Sequence, residues 1–417
     1  VPVSIKMAGL GLALLTAAPA LAHAQGCVAP PNVTPLQSTP LTLRILQQSL
    51  IPVPATDGFV HLAYAAQATN LDRQAALIDE ITPVDPLHGF RPTGSSGVVD
   101  MNGRSITGTL RPFKPPLVDG LQSQNPVDTR SLPGGGSGTG FFDVRYPNIQ
   151  AVPSLLAHRL VVALLGHGGL TTELTDPIPV GCDAPVVLSP PLVGSRWWNG
   201  NGCCETISPH RGATLPLNGD IRVPEQFAID FAQLTPDNTC CTGPVKQLSS
   251  WPFFGVPVLA AATGTVVQAV NDMPEQVPGP PVGVTAQNAA GNHIIEDIGG
   301  GRFIMYAHLK TNSIPARLLQ PGAVLRVGQR LGDVGNTGST TAPHLHFQVM
   351  DRPSTLNAIG LPFVFDKQSL EGHVAGTANS ENDTYESGGV VRYVARDVPQ
   401  TRLNEMPAET QVFGFNE

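Results

Sequence analysis

Charge is scarce in this 417-residue chain: Asp, Glu, Lys and Arg together supply only 13% of positions. The 24 Lys and Arg residues form no run, and the formal net charge is −8. That balance offers no electrostatic footprint for a nucleic-acid backbone, so no nucleic-acid partner is expected. Long apolar runs are missing beyond the first two dozen residues, so no integral membrane segment is expected once that stretch is removed. Long helical patterns are scarce too. The 44 glycines and 41 prolines favour turns and short strands. A hydrophobic share of 41% still suffices for packed cores, which excludes wholesale disorder.

The apolar stretch at the start reads as a secretory signal over residues 1–24. Lys6 is its positive region, Met7 to Ala18 its apolar centre, and Ala22-His23-Ala24 presents small residues for cleavage after Ala24. A retained anchor would need roughly 20 apolar residues, and a lipid on Cys27 would need a better lipidation box than Ala24-Gln25-Gly26. Export places the protein in the periplasm or outside the cell. Six cysteines, at 27, 182, 203, 204, 240 and 241, suit that oxidising compartment. Vicinal cysteines are poorly placed to bridge each other, so Cys203-Cys204 are expected to cross-pair with Cys240-Cys241, which leaves Cys27 for Cys182. Four thiolates around a structural zinc are the alternative, though the spacing does not suit a zinc knuckle.

Residues 25–41, rich in Pro and Thr, read as a linker. Over residues 42–180 short alternating runs such as Phe59 to Tyr64 and His158 to Val162 are separated by Gly and Pro turns, which predicts an immunoglobulin-like antiparallel β-sandwich. Leu71 to Ile81 is read as strand, with a helix as the alternative. Gly134 to Gly140 is read as a flexible loop without nucleotide-binding spacing. Histidines 61, 88, 158 and 167 stand singly and suit satisfied core or surface positions. Trp197-Trp198 is expected to pack near the disulfides, with an exposed glycan platform as the alternative.

The chemistry lies in the C-terminal half, where residues 181–374 form the second expected domain. Asp230 ends the alternating run Gln226-Phe227-Ala228-Ile229-Asp230, His308 follows the strand Arg302 to Met305, and Pro343 to Val349 is a strand carrying His344 and His346. Side chains two apart on a strand share a face, so these two histidines point the same way. Such a strand pair with a distant Asp and a further His is the donor chemistry of a catalytic zinc. Beyond this domain, residues 375–417 are expected to be a mobile polar segment followed by a last strand.

The surrounding block, Gly332 to Gly338, then Ala342-Pro343-His344-Leu345-His346-Phe347, with Pro321-Gly322, Val327-Gly328-Gln329 and Gly255 to Val266 upstream, strongly resembles the lysostaphin-type (LytM-like) zinc metalloendopeptidases of peptidase family M23. The resemblance covers about Pro209 to Asp351. It implies a Gly-turn-rich antiparallel sheet with the cleft across one face, so that the whole chain is mostly β. It further implies one Zn²⁺, Asp230 and His346 as metal ligands, His308 and His344 as catalytic residues, and the peptide of bacterial peptidoglycan as substrate. One of these two histidines would move the proton of the attacking water to the leaving amine, and the other would hold the oxyanion. A catalytically degenerate module that binds cell wall or regulates another hydrolase is the alternative.

The family carries a histidine four residues before the Asp, and Gln226 stands there. Carboxamide oxygen is a far weaker zinc donor than imidazole, so the third ligand is expected to be His210, with Gln226 or an open position as alternatives. Asn218-Gly219 is a hairpin signal. A two-residue turn pairs Leu217 with Asp220 and faces His210 away from Asp230, whereas a three-residue turn puts His210 on the face of Asp230.

Overall fold

The computed structural model describes residues 27, 34–96, 109–112, 131–164, 166, 168–204, 208–376 and 378–415. The expected leader, residues 1–24, and His167 lie outside them. In the N-terminal half the alternating runs form β1 (Leu41–Ile45), β2 (Val60–Asn70), β3 (Ala76–Asp85), β4 (Ser137–Tyr146), β5 (Leu155–Leu164) and β6 (Leu170–Leu174). One six-stranded sheet holds β1, β2 and β4 side by side, and a second holds β6, β5 and β3. Leu62, Tyr64, Phe142 and Val144 from the first sheet share a core with Ile78, Ile81, Leu156 and Leu160 from the second. Two antiparallel sheets around one core are consistent with the sandwich expected from the alternation. The strand expected from Leu71 begins only at Ala76, after a bend, and Gly138 and Gly140 of the glycine-rich stretch are paired residues of β4 rather than loop.

The C-terminal half is organised by an eleven-stranded sheet. Its main members are β7 (Gly194–Gly200), β8 (Ile229–Gln233), β9 (Gly264–Val270), β10 (Asn292–Asp297), β11 (Phe303–Leu309), β12 (Leu345–Met350), β13 (Gln368–Val374), β14 (Tyr393–Arg402) and β15 (Gln411–Phe415). They lie in the order β9-β10-β11-β12-β8-β7-β15-β13-β14. One face buries a large aromatic core that includes Phe231, Phe347, Phe363, Phe365, Phe413 and Trp251. The opposite face, where Met305 and Ala307 lie, carries the cleft.

The polar stretch expected to be mobile is different. Residues Ala378–Glu386 form α1, the only α-helix among the described residues. The helix is polar overall, yet Tyr385 is buried edge-on against Trp198 and Trp251, and its hydroxyl donates to the carbonyl of Gln233. Edge-on aromatic pairs add about 0.5–1.5 kcal/mol each beyond area burial, and three such side chains tie the helix to the sheet. Trp197 and Trp198 are both buried, so neither is a glycan platform, and it is Phe253 and Tyr385, respectively, that they meet edge-on.

The cysteines also depart from expectation. Cys27 is bonded to Cys182, but Cys203 is bonded to its neighbour Cys204, while Cys240 and Cys241 are free thiols. The two vicinal pairs cannot meet because they pack in different places. Cys203 and Cys204 lie in a small cluster with Val53, Ala55 and Ala63 of the N-terminal half, and Cys240 lies in the aromatic core of the large sheet. A second apolar contact, Ala65 and Phe141 against Val223 and Ile359, joins the two halves.

Candidate metal centre

Three strands and one turn bring the predicted site residues together. Asp230 on β8 lies directly opposite His346 on β12, and Ala307 on β11 flanks His346 from the other side. Opposed residues share a face, so Asp230 and His346 both project into the cleft. His344 precedes β12 and, two residues from His346, joins the same face. Simple alternation would turn His308 to the opposite face from Ala307. Its φ of 60° breaks the alternation and swings the ring into the cleft, 4.7 Å from His344 and 5.7 Å from His346 between ring centres. A left-handed conformation at a residue with a Cβ costs about 1–2 kcal/mol, which the fold spends on placing this ring.

His210 arrives by a route the sequence did not suggest. The hairpin Leu215–Leu217 with Asp220–Arg222 closes through the two-residue turn, with Leu217 opposite Asp220, the register expected to face His210 away. The ladder ends at the Leu215–Arg222 pair, so its register does not extend to His210. That residue instead sits in a turn after Ser208. Its Nδ1 donates to the carbonyl of Ala228 at 3.1 Å, and its Nε2 lies 3.2 Å from Asp230 Oδ2. Arg211 beside it is fully buried and donates to the carbonyls of Cys204 and of Phe142 in β4, which ties this turn to the N-terminal sheet.

Gln226 does not join the cluster. Pro224 to Phe227 form a turn rather than strand, and the Gln226 carboxamide oxygen accepts a hydrogen bond from Gln47 of the N-terminal half. The expectation of Gln226 as an alternative ligand is therefore not matched by its placement. Its position four residues before Asp230 carries no shared face once the strand has ended.

The ligand atoms of His210, Asp230 and His346 all lie within 4.8 Å of one another, with the histidines buried. Their hydrogen bonds set the tautomers. His210, His308 and His344 each direct Nδ1 to a backbone carbonyl, at Ala228, Thr337 and Ala342 respectively, which leaves Nε2 bare toward the cleft. His346 is reversed: its Nε2 meets Gln348 Oε1 at 2.7 Å, so Nδ1 is bare and lies 3.1 Å from Asp230 Oδ1. With neutral rings these nitrogens would face the carboxylate acceptor against acceptor, so a positive charge, a proton on the rings or a metal ion, belongs between them. Two nitrogens and one carboxylate with an open side are a donor set that fits Zn²⁺.

The charges around Asp230 follow the same geometry. Burial pushes its carboxyl up, but His210 and His344 outweigh that and hold it well below the usual carboxylate range. Burial pushes His344 down, yet the Asp230 carboxylate beside it holds the imidazole above its ordinary value. At His308 the Asp230 charge is outweighed. Burial, reinforced by His344 and His346, pushes this imidazole well below the ordinary histidine range.

The cleft has a volume of about 740 Å³, and its walls include His210, His308, His344, Glu225 and, from α1, Asn382 and Glu386. Among the described residues a second cluster, His61, Asp143 and Cys204, also groups donor atoms. There both ring nitrogens of His61 are engaged, by Asp143 at 2.8 Å and Asp57 at 3.0 Å, and Cys204 is bonded to Cys203. No helix among the described residues is long and apolar enough to cross a membrane.

Residues 252–358 match peptidase family M23. A 105-residue stretch, 25% of this chain, is 30% identical to the peptidoglycan DD-endopeptidase ShyA of Vibrio cholerae and covers 20% of that protein. A 100-residue stretch, 24% of this chain, is 29% identical to the cell division protein DipM of Caulobacter vibrioides and covers 13% of it. The match thus spans a fifth or less of these relatives. The catalytic domain of lysostaphin from Staphylococcus simulans is 25% identical over 34% of this chain and 78% of that domain, with a TM-score of 0.20. With the Gly-rich block and the strand bearing His344 and His346 inside the matched span, the chain carries a peptidase family M23 domain over residues 252–358.

Proposed function

We propose that the chain is an exported zinc metalloendopeptidase that hydrolyses peptide bonds of bacterial cell-wall peptidoglycan. One observation carries the reading: His210 Nε2, the Asp230 carboxylate and His346 Nδ1 converge on the cleft beside His308 and His344. His210 is here the third ligand in place of the family's histidine. One Zn²⁺ held by the three would polarise the scissile carbonyl and acidify a bound water. His308 and His344 do the proton work. One takes the proton of the attacking water and passes it to the leaving amine, and the other donates a hydrogen bond to the oxyanion. Their Nδ1 bonds to the carbonyls of Thr337 and Ala342 keep both Nε2 atoms turned to the cleft.

The substrate class is supported by the relative that is a peptidoglycan DD-endopeptidase. A periplasmic or secreted location follows from the leader pattern of residues 1–24. The arrangement we propose is a sandwich over residues 42–180 followed by a peptidase-type unit from 181, with α1 and the last strands packed onto that unit. Incubating the zinc-loaded full chain with purified sacculi tests the reading. Release of new amino groups that stops on chelation is expected. The engagement of Gln226 with Gln47 is the observation that favours the degenerate module, and binding to sacculi without any release would establish that alternative.

A further inference from the structure

On the reading of Asp230 as a metal ligand, we propose that α1 is part of the metal centre and that Asn382, acting through Asn201, positions the Asp230 carboxylate. Asn201 follows β7, the strand paired with β8, and its φ of 55° is the left-handed turn that asparagine tolerates. Its Nδ2 donates to Asp230 Oδ2 at 2.9 Å. A carboxylate can only accept, so the amide nitrogen of Asn201 must face it, and Asn201 Oδ1 is turned the other way. There it accepts from Asn382 Nδ2, also at 2.9 Å. Each amide fixes the orientation of the next, and the relay runs from the helix to the ligand.

The helix is held firmly enough to serve as the fixed end. Tyr385 is buried against Trp198 and Trp251 and donates to the carbonyl of Gln233, the strand partner of Trp197, three residues from Asp230 along the same chain segment. Glu381, buried at the start of α1, pairs with Arg392 at 2.8 Å. Loss of a partner that orients a metal ligand typically costs about 10–100-fold in metal affinity. The helix lies outside residues 252–358, so this support comes from a part of the chain the family match does not contain.

Competition between the full chain and a chromophoric chelator for Zn²⁺ alone tests this. Asn201→Ala is expected to weaken Zn²⁺ binding about tenfold. Asn382→Ala is expected to weaken it several-fold, and to cost nothing further in the Asn201→Ala background, because residues in one relay are not additive. Wild-type affinity in Asn382→Ala would overturn the relay while leaving the metal centre standing. The same loss with Asn201 already removed would also overturn it, showing that α1 acts by packing alone. A wild-type chain that takes up no Zn²⁺ would overturn the metal-centre reading and this inference with it.

Discussion

The Gln226 carboxamide oxygen accepts from Gln47 of the N-terminal half, while His210, sixteen positions earlier in the chain, places Nε2 3.2 Å from Asp230. On the proposed reading, the family's ligand position serves as a contact between the two halves and His210 serves as a ligand. His210→Ala should lower Zn²⁺ affinity more than a hundredfold, beyond what loss of a supporting residue costs. Gln226→Ala should leave it within about threefold of wild type. The opposite pattern in a chelator competition would return Gln226 to the centre.

His308 and His344, proposed not to be ligands, should separate from His346, proposed to be one. His308→Ala and His344→Ala are expected to keep the metal and lose about 10²–10⁴ in turnover, the range of general acid–base catalysis. His346→Ala should lose the metal. Zinc analysis beside turnover decides it, and a His344→Ala protein that purifies without zinc while His346→Ala retains it would reverse the roles.

The tautomer of His346 rests on Gln348, whose Oε1 accepts from Nε2. Gln348→Leu removes that acceptor and should weaken Zn²⁺ binding by about 10–100-fold, whereas Gln348→Glu keeps an acceptor and should bind more tightly than Gln348→Leu. Equal affinities for the two variants would show that the contact does not set the ring.

A pH prediction arises from the sandwich core. Burial drives His158 down to about 3, beside the Tyr64 hydroxyl. The unfolded chain therefore binds this proton at higher pH than the folded one, so stability is complete above the unfolded value near 6.5 and falls as pH drops toward 3. The slope from one such group is at most about 1.4 kcal/mol per pH unit. Thermal melts between pH 6.5 and 4 should decline more steeply for wild type than for His158→Gln, and parallel curves would contradict the assignment.

The strand-borne part of this site was legible in the sequence because strand periodicity is a local rule. Asp230, His344 and His346 obey it, and the family block around them fixes their order. Local periodicity does not account for how Gln226, His210 and His308 are placed, although the last two were expected at the site. Gln226 falls in a turn before β8, His210 sits in a turn outside the hairpin ladder, and His308 enters the cleft only through a positive φ. The helix α1 was missed for a related reason. Its polar composition gave no apolar stripe, and a single tyrosine seated between two tryptophans from distant segments holds it. Likewise, adjacent cysteines could not be assigned to partners before their two separate cores were known.

The most direct test of the central claim is anomalous scattering from a zinc-soaked crystal of the full chain. One Zn²⁺ is expected at about 2.0–2.2 Å from His210 Nε2, His346 Nδ1 and an oxygen of Asp230, with His308 and His344 close by but not bonded to it. An ion bound by Gln226 in place of His210, or no ion where Asp230 and His346 converge, would contradict it.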